Sequence, residues 1–141
     1  MIILAVDPGQ RRIGLAITDP SGKVALPLMV IPHNSRQIDA ARIVQIASEN
    51  LAELILVGQA LDSNNLPTLQ SRRSENLTKA IQILTPIPVK MWEEYRSSQT
   101  IRDLMPKPSK KRKQREKPID AIAAVVILQN YLENQPEEKN E

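Results

Sequence analysis

The chain of 141 residues contains no cysteine, no phenylalanine and one histidine, His33. The absence of cysteine excludes disulfide bonds, thiolate zinc sites and a cysteine nucleophile. A multi-histidine metal site is excluded as well, and a Ser-His-Asp triad would have to use His33 as its base. The aromatic residues are limited to Trp92, Tyr95 and Tyr131. So few rings disfavour a platform that stacks single-stranded bases.

Long hydrophobic runs are also missing. No apolar stretch approaches the length of a membrane span, and the start lacks a basic region before an apolar core. The share of hydrophobic residues, 41%, is ordinary for a globular protein, so we expect a cytoplasmic protein. The length predicts a single domain over residues 1–133, followed by an acidic, disordered tail over 134–141.

The net charge of +3 is small, but the charges are unevenly placed. Residues 107–117 hold seven basic side chains against one acid, Glu116, whereas the chain from Glu133 onward is acidic. A concentrated basic segment predicts a polyanionic partner. Because aromatic residues are few, we expect a nucleic acid to be held by its phosphate backbone.

Hydrophobic patterning and turn residues predict an α/β domain. Strands are predicted at residues 1–7, 12–19, 23–31, 54–57 and 89–92, with Pro27 favouring an edge position for the third. Helices are predicted at residues 35–50, 67–84, 97–105 and 118–133, with a polar loop over 61–66. The first helix is predicted to bury Ile38, Ala41, Ile43, Val44 and Ala47. Three antiparallel strands followed by strands in crossover connections make a mixed sheet.

Three acids stand out from the others, which lie in polar or exposed contexts. Asp7 ends the first strand, Glu94 follows the fifth, and Asp120 lies in the first turn of an otherwise aliphatic helix. The ends of parallel strands line the usual functional edge of such a sheet, and carboxylates suit magnesium or manganese. Each acid also has a simpler explanation, as a turn residue, a solvated side chain or a helix-dipole partner. The spacing leaves open whether the three meet.

The segments that carry these acids resemble one family. The sequence DPGQRRIGLA from Asp7, followed by Thr18 and Asp19, resembles the opening D-x-G-x-x-R/K-x-G-x-A-x-[ST]-D of the YqgF/RuvX family. Members are RNase H-like pre-16S rRNA nucleases, also described as Holliday-junction-resolvase-like. Leu56-Val57-Gly58 resembles the family's fourth strand, residues 88–98 resemble its D-E-R-L-[ST]-T segment, and residues 112–131 resemble its basic loop and final helix. The match covers nearly the whole chain except the acidic tail.

The resemblance implies an RNase H-like five-stranded mixed sheet with flanking helices. It implies a metal-dependent nuclease, a hydrolase of phosphodiester bonds, that processes the 5′ end of pre-16S rRNA in ribosome biogenesis. Asp7, Glu94 and Asp120 would be catalytic and would bind Mg²⁺ or Mn²⁺ in a site of the two-metal type. The side chains expected on phosphates are Arg12, Arg96, Lys110, Lys111, Arg112, Lys113, Arg115 and Lys117.

Two other functions stay open. A resolvase acting on four-way DNA junctions is one, and a homodimer rather than a monomer would favour it, because symmetric cleavage needs two sites. A catalytically weak binding module is the other, since Tyr95 stands where the family has an arginine and a phenol cannot grip a phosphate bidentately. An actin-like ATPase is disfavoured because the chain is too short for two domains around a nucleotide.

Overall fold

The computed structural model describes residues 1–59, 69–93 and 116–134, except for the side chains of 69–71, 93 and 116–120. Within these ranges the chain forms three consecutive strands and then alternates between helices and strands, five strands and three helices in all. In chain order they are β1 (Ile3–Pro8), β2 (Arg12–Thr18), β3 (Ala25–Pro32), α1 (Arg36–Glu49), β4 (Leu54–Gln59), α2 (Leu69–Leu84), β5 (Val89–Glu93) and α3 (Glu116–Glu133).

The strands form one mixed sheet in the order β3-β2-β1-β4-β5. β1 pairs antiparallel with β2, and β2 with β3. β4 is parallel to both β1 and β5. The predicted mixed sheet, three antiparallel strands and then parallel ones, is therefore confirmed. Because β4 adds beside β1 rather than β3, the carboxyl ends of β1, β4 and β5 meet at one edge of the sheet.

The edge strand β3 accommodates a proline and a bulge. Pro27 pairs with Ala16 and Met29 with Leu15, so the register shifts at Leu28. An edge position tolerates the missing backbone donor of proline, as the sequence predicted.

Each face of the sheet has its own core because side chains alternate along a strand. Leu4 and Val6 of β1 face α1 and α2, and are fully buried among residues of those helices. Ile3 and Ala5 face α3, where they are buried with Ala124 and Leu128. The two-layer covering explains why β1 and β4 are almost wholly apolar.

Several predicted boundaries and one helix face were wrong. β4 continues through Gly58 to Gln59 because β5 pairs with it there. α3 begins at Glu116 rather than Pro118. A proline fits in the first turn of a helix because it lacks a backbone N–H, and the N–H groups of that turn have no intrahelical partner. α1 buries Asp39, Ala40, Ile43, Ile46 and Ala47, whereas Ile38 and Ala41 are exposed.

The predicted short helix at 97–105, the loop at 61–66 and the acidic tail from residue 135 lie outside the described residues. Among the helices that the structure does describe, none is long and apolar enough to cross a membrane.

Candidate active site

Asp7 lies at the carboxyl end of β1, on the sheet face that α3 covers. It continues the alternation of Ile3 and Ala5, whose side chains pack against α3, and its own side chain is half-buried. A tight turn follows at once, in which the Gly9 N–H donates to the Arg12 carbonyl at 2.9 Å. A Cβ on Gly9 would overlap that carbonyl oxygen, so the turn requires glycine. The turn ends the strand directly after Asp7 and leaves the carboxylate at the sheet edge.

Gly58 lets α3 approach the sheet next to Asp7. Val6 pairs with Val57, so one step further along both strands Asp7 is level with Gly58, and Gly58 pairs with Trp92. A Cβ on Gly58 would overlap the end of the Ile127 side chain of α3. A close approach of helix and strand is a common reason for glycine within a strand. Gly58 therefore determines how closely α3 approaches the sheet at the level of Asp7.

Asp120 occupies a position on the buried stripe of α3. Positions 120, 124, 127 and 131 are separated by four, three and four residues, which places them on one side of a helix. Ala124, Ile127 and Tyr131 of this stripe are buried against the sheet. The neighbouring Ala121 is buried as well. Position 120 thus continues, by one turn, the side of α3 that faces the sheet.

An aromatic contact holds the carboxyl end of α3 at β5. The rings of Trp92 in β5 and Tyr131 are perpendicular, with centroids 5.1 Å apart. The indole N–H of Trp92 donates to Asn130 Oδ1 at 2.7 Å, and Lys90 Nζ lies 5.4 Å from the Tyr131 ring centroid. The carboxyl end of α3 is therefore held at β5, and the helix also packs on β1, β2 and β3.

The other predicted site residues are placed only in part. Arg12 is exposed at the start of β2, and Lys117 lies in the first turn of α3. Outside the described residues are Glu94, Arg96, Lys110, Lys111, Arg112, Lys113 and Arg115. Among the described residues no three histidine or acidic side chains come together as metal ligands. Of the predicted carboxylates, the Asp7 side chain is the one within that description.

Thr18 and Asp19, the end of the family-like opening motif, organise the opposite end of the sheet. The Thr18 hydroxyl accepts the Ile3 N–H at 2.9 Å and donates to the Met1 carbonyl at 3.2 Å. The Asp19 carboxylate accepts the Ser21 hydroxyl at 2.8 Å and the N–H groups of Lys23 and Val24. These hydrogen bonds, that of Ser21 above all, hold the pKa of Asp19 below its usual range. Both residues act in the fold, away from Asp7.

A second polar site, which the sequence analysis missed, contains His33 and Asp39. The acids other than Asp7, Glu94 and Asp120 were predicted to lie in polar or exposed contexts, and for Asp39 this prediction was wrong. His33 Nδ1 lies 2.5 Å from Oδ2 of Asp39, whose side chain is 1% exposed. The Asn34 N–H donates to Oδ1 of Asp39 at 2.9 Å. Asp39, Ile43, Ile46 and Ala47 are buried on one face of α1, and an acid on a buried stripe was the signal available.

These residues line a cleft at the same sheet edge as Asp7 but on the opposite face. The cleft has a volume of about 300 Å³. Its wall includes the turn residues Pro8 and Gly9, the start of α1 with Asn34, Ser35 and Arg36, and Arg73 and Asn76 of α2. Arg73 Nη2 lies 3.4 Å from His33 Nε2. The turn after β1 therefore separates two polar sites, one on each side of the sheet.

Two relatives of the same name match this chain over almost its whole length. A protein from Thermoanaerobacter pseudethanolicus named "Putative pre-16S rRNA nuclease" is 35% identical over 136 residues, covering 96% of this chain and 98% of the relative. One of the same name from Desulforamulus reducens is 34% identical over 134 residues, covering 95% and 98%.

The fold is similar to that of RuvC, and the predicted RNase H-like sheet is thereby confirmed. Thermus thermophilus RuvC in complex with a Holliday junction substrate superposes with a TM-score of 0.57 over 94% of this chain and 93% of RuvC, at 14% identity. The family model described as "RuvX: Holliday junction resolvase" matches residues 1–134. The chain thus belongs to the RuvX family.

Proposed function

We propose that the protein is a divalent-metal-dependent nuclease that processes the 5′ end of pre-16S rRNA in the cytoplasm. The observation that carries this proposal is the placement of Asp7 at the sheet edge, level with Gly58, on the face that α3 covers. Membership of the RuvX family and the names of the two relatives support RNA as the substrate. The DNA-junction alternative is supported by the family description and by the RuvC likeness, which is a likeness of fold.

The donor chemistry fits a hard divalent cation. Asp7 offers carboxylate oxygens at the edge, position 120 lies on the sheet-facing side of α3, and Glu94 follows the strand whose last described residue, Glu93, pairs with Gln59. We propose that these three carboxylates hold Mg²⁺ or Mn²⁺. A bound metal would stabilise the charge that develops on the phosphate and would lower the pKa of a coordinated water.

The remaining parts of the site bind and position the substrate. Gly58 lies between Asp7 and Trp92 on neighbouring strands and has no side chain, so α3 can lie close to the strand ends. The basic segment of residues 107–117 leads in sequence into the first turn of α3 and is proposed to bind phosphates. Tyr95 follows Glu94 immediately, and Arg96 is proposed to supply the guanidinium that the family has one position earlier.

The test compares wild type with Asp7→Asn, which keeps the size of the side chain but removes its charge. Both are incubated with Mg²⁺ and then Mn²⁺, on a 16S precursor fragment and on a four-way DNA junction. We expect metal-dependent RNA cleavage by wild type and its loss in the variant, at least a hundredfold by order of magnitude. The control is Glu49→Gln, which removes an exposed carboxylate near the end of α1 and should cleave normally.

Three other outcomes would change the assignment of the site or of the function. Cleavage by Asp7→Asn at the wild-type rate would remove the carboxylate assignment. Cleavage of the junction alone would favour the resolvase, and binding of both substrates without cleavage would favour the binding module with Tyr95 as its cause.

A further inference from the structure

The cleft beside His33 has the chemistry of a phosphate site. Arg36 and Arg73 bring two guanidinium groups to its wall against one carboxylate, that of Asp39. This carboxylate is buried and is already bonded to His33 and the Asn34 N–H, so part of its charge is compensated by these partners. The cleft is therefore left with an excess of positive charge, and guanidinium groups bind phosphate oxygens bidentately.

A chain of hydrogen bonds holds one of these cations in place. Arginine is a permanent donor, so its Nη2, 3.4 Å from His33 Nε2, faces an acceptor nitrogen. The proton of the neutral imidazole then lies on Nδ1 and is donated to Asp39. Asp39 thus orients His33, and His33 orients Arg73. Fixing the guanidinium before a ligand arrives reduces the entropy lost on binding.

The start of α1 strengthens the attraction for an anion. Ser35 is the N-cap of this helix of 14 residues, and both Ser35 and Arg36 line the cleft. The partial positive charge of a helix amino terminus favours negative ligands. Asn34 and Asn76 add side chains that can donate to sugar or phosphate oxygens. The volume of about 300 Å³ is at the lower end of the range for small-molecule sites.

The position of the cleft relative to Asp7 indicates what it holds. Pro8 and Gly9 form part of its wall and directly follow Asp7, whose side chain faces the other side of the sheet. Arg11 and Arg12, both exposed, lie in the same turn region, and the His33 N–H donates to the Arg11 carbonyl at 2.9 Å. Basic side chains therefore occur on both sides of the turn that separates the two sites.

We infer that this cleft binds a backbone phosphate of the same polynucleotide whose scissile phosphate lies at Asp7, with Arg73 as its principal ligand. The strand would pass over the β1–β2 turn from one face of the sheet to the other. This inference rests on the proposed function, since it takes nucleic acid as the substrate. It adds a positioning site formed by α1 and α2, outside the carboxylates and the basic segment.

The test is binding to an RNA oligomer in the Asp7→Asn background, so that affinity is measured without cleavage. Arg73→Ala is expected to weaken binding about tenfold and to reduce the magnitude of the salt slope by about one. Its control is Arg72→Ala, which removes an exposed arginine of the same helix that does not line the cleft. With Asp7 intact, Arg73→Ala should raise KM and leave kcat unchanged.

A second measurement separates a backbone phosphate from free phosphate. Inorganic phosphate is titrated into the ¹⁵N-labelled protein, and the amide signals of Asn34 and Ser35 should shift in wild type but not in Arg73→Ala. If wild type binds phosphate but Arg73→Ala binds RNA as tightly as wild type does, the inference is overturned and the cleft is a site for free phosphate. Equal losses in Arg72→Ala and Arg73→Ala would overturn it too. RNA binding that depends on Arg73, without cleavage by wild type, would support the inference while removing the proposed nuclease.

Discussion

Nδ1 of His33 lies 2.5 Å from the buried Oδ2 of Asp39, and this contact joins the end of β3 to the first turn of α1. A carboxylate that is 1% exposed needs partners, because burying a charge without hydrogen bonds is costly. The His33 ring and the Asn34 N–H supply them from the residues directly before the helix. The pair therefore fixes the entry of α1 and, through Nε2, the position of Arg73.

The contact predicts the tautomer of His33. The chain contains one histidine, so its ring nitrogens give an unambiguous ¹⁵N spectrum. At a pH where the ring is neutral, wild type should show the Nδ1–H form. In Asp39→Asn the amide keeps an acceptor for the Asn34 N–H and turns its NH₂ group to Nδ1, which moves the proton to Nε2.

The moved proton would face the Arg73 guanidinium, so that contact should be lost and the variant should be destabilised by about 1–3 kcal/mol. The ¹⁵N shifts and urea unfolding measure the two effects. An Nε2–H tautomer in wild type would contradict the assignment.

The close approach at Gly58 predicts an energetic coupling with Ile127. Gly58→Ala places a Cβ against the end of the Ile127 side chain, and we expect a loss of about 1–3 kcal/mol in the free energy of unfolding. Ile127→Val shortens that side chain and by itself should cost about 0.5–1.5 kcal/mol. The double variant should lose less than the sum of the two. Urea unfolding of all four proteins measures the coupling, and strictly additive losses would show that α3 shifts freely.

The turn between β2 and β3 predicts a dependence of stability on acid pH. The Ser21 hydroxyl, with the backbone N–H groups of Val24, Lys23 and Gly22, lowers the pKa of Asp19. A lowered pKa in the folded state contributes stability above the unfolded value near 3.8, and this contribution is lost as the pH falls below it.

Ser21→Ala should therefore destabilise the protein at pH 7, and the difference from wild type should shrink below pH 3.8. Urea unfolding at pH 7, 4 and 3 gives the result. Ser48→Ala, an exposed serine of α1, is the matched control and should show no such convergence. A difference that stays constant with pH would assign the Ser21 effect to something other than the Asp19 charge.

The basic segment predicts steep salt dependence. Replacing Lys110, Lys111, Arg112 and Lys113 by alanine should weaken RNA binding and reduce the salt slope by up to about three on a single strand. Lys79→Ala serves as control, since Lys79 is exposed on α2 and paired with Glu75. An unchanged slope would leave the segment with a role in solubility alone.

Much of the fold follows from local features of the sequence. The apolar runs of β1 and β4, the turn at Pro8 and Gly9, and Pro27 each act over a few residues, so they predicted the strands and the edge position. The mixed sheet followed because strands separated by helices need crossovers. The placement of Asp7 at a strand end was predicted because the apolar run of β1 ends at this acid. Its convergence with Glu94 and Asp120 stays a prediction.

Other features depend on residues distant in sequence, and only the tertiary structure decided them. β4 was predicted to end at residue 57, but pairing with Trp92 and the approach of Ile127 place Gly58 inside the strand. Ile38 was predicted to be buried on α1, but the partners of Asp39 allow the acid to take the buried face instead. His33 and Arg73 are 40 residues apart and meet because α2 packs beside α1. Local periodicity selects a helix or a strand, whereas the cost of burying a polar group is set by the partners that the fold brings to it.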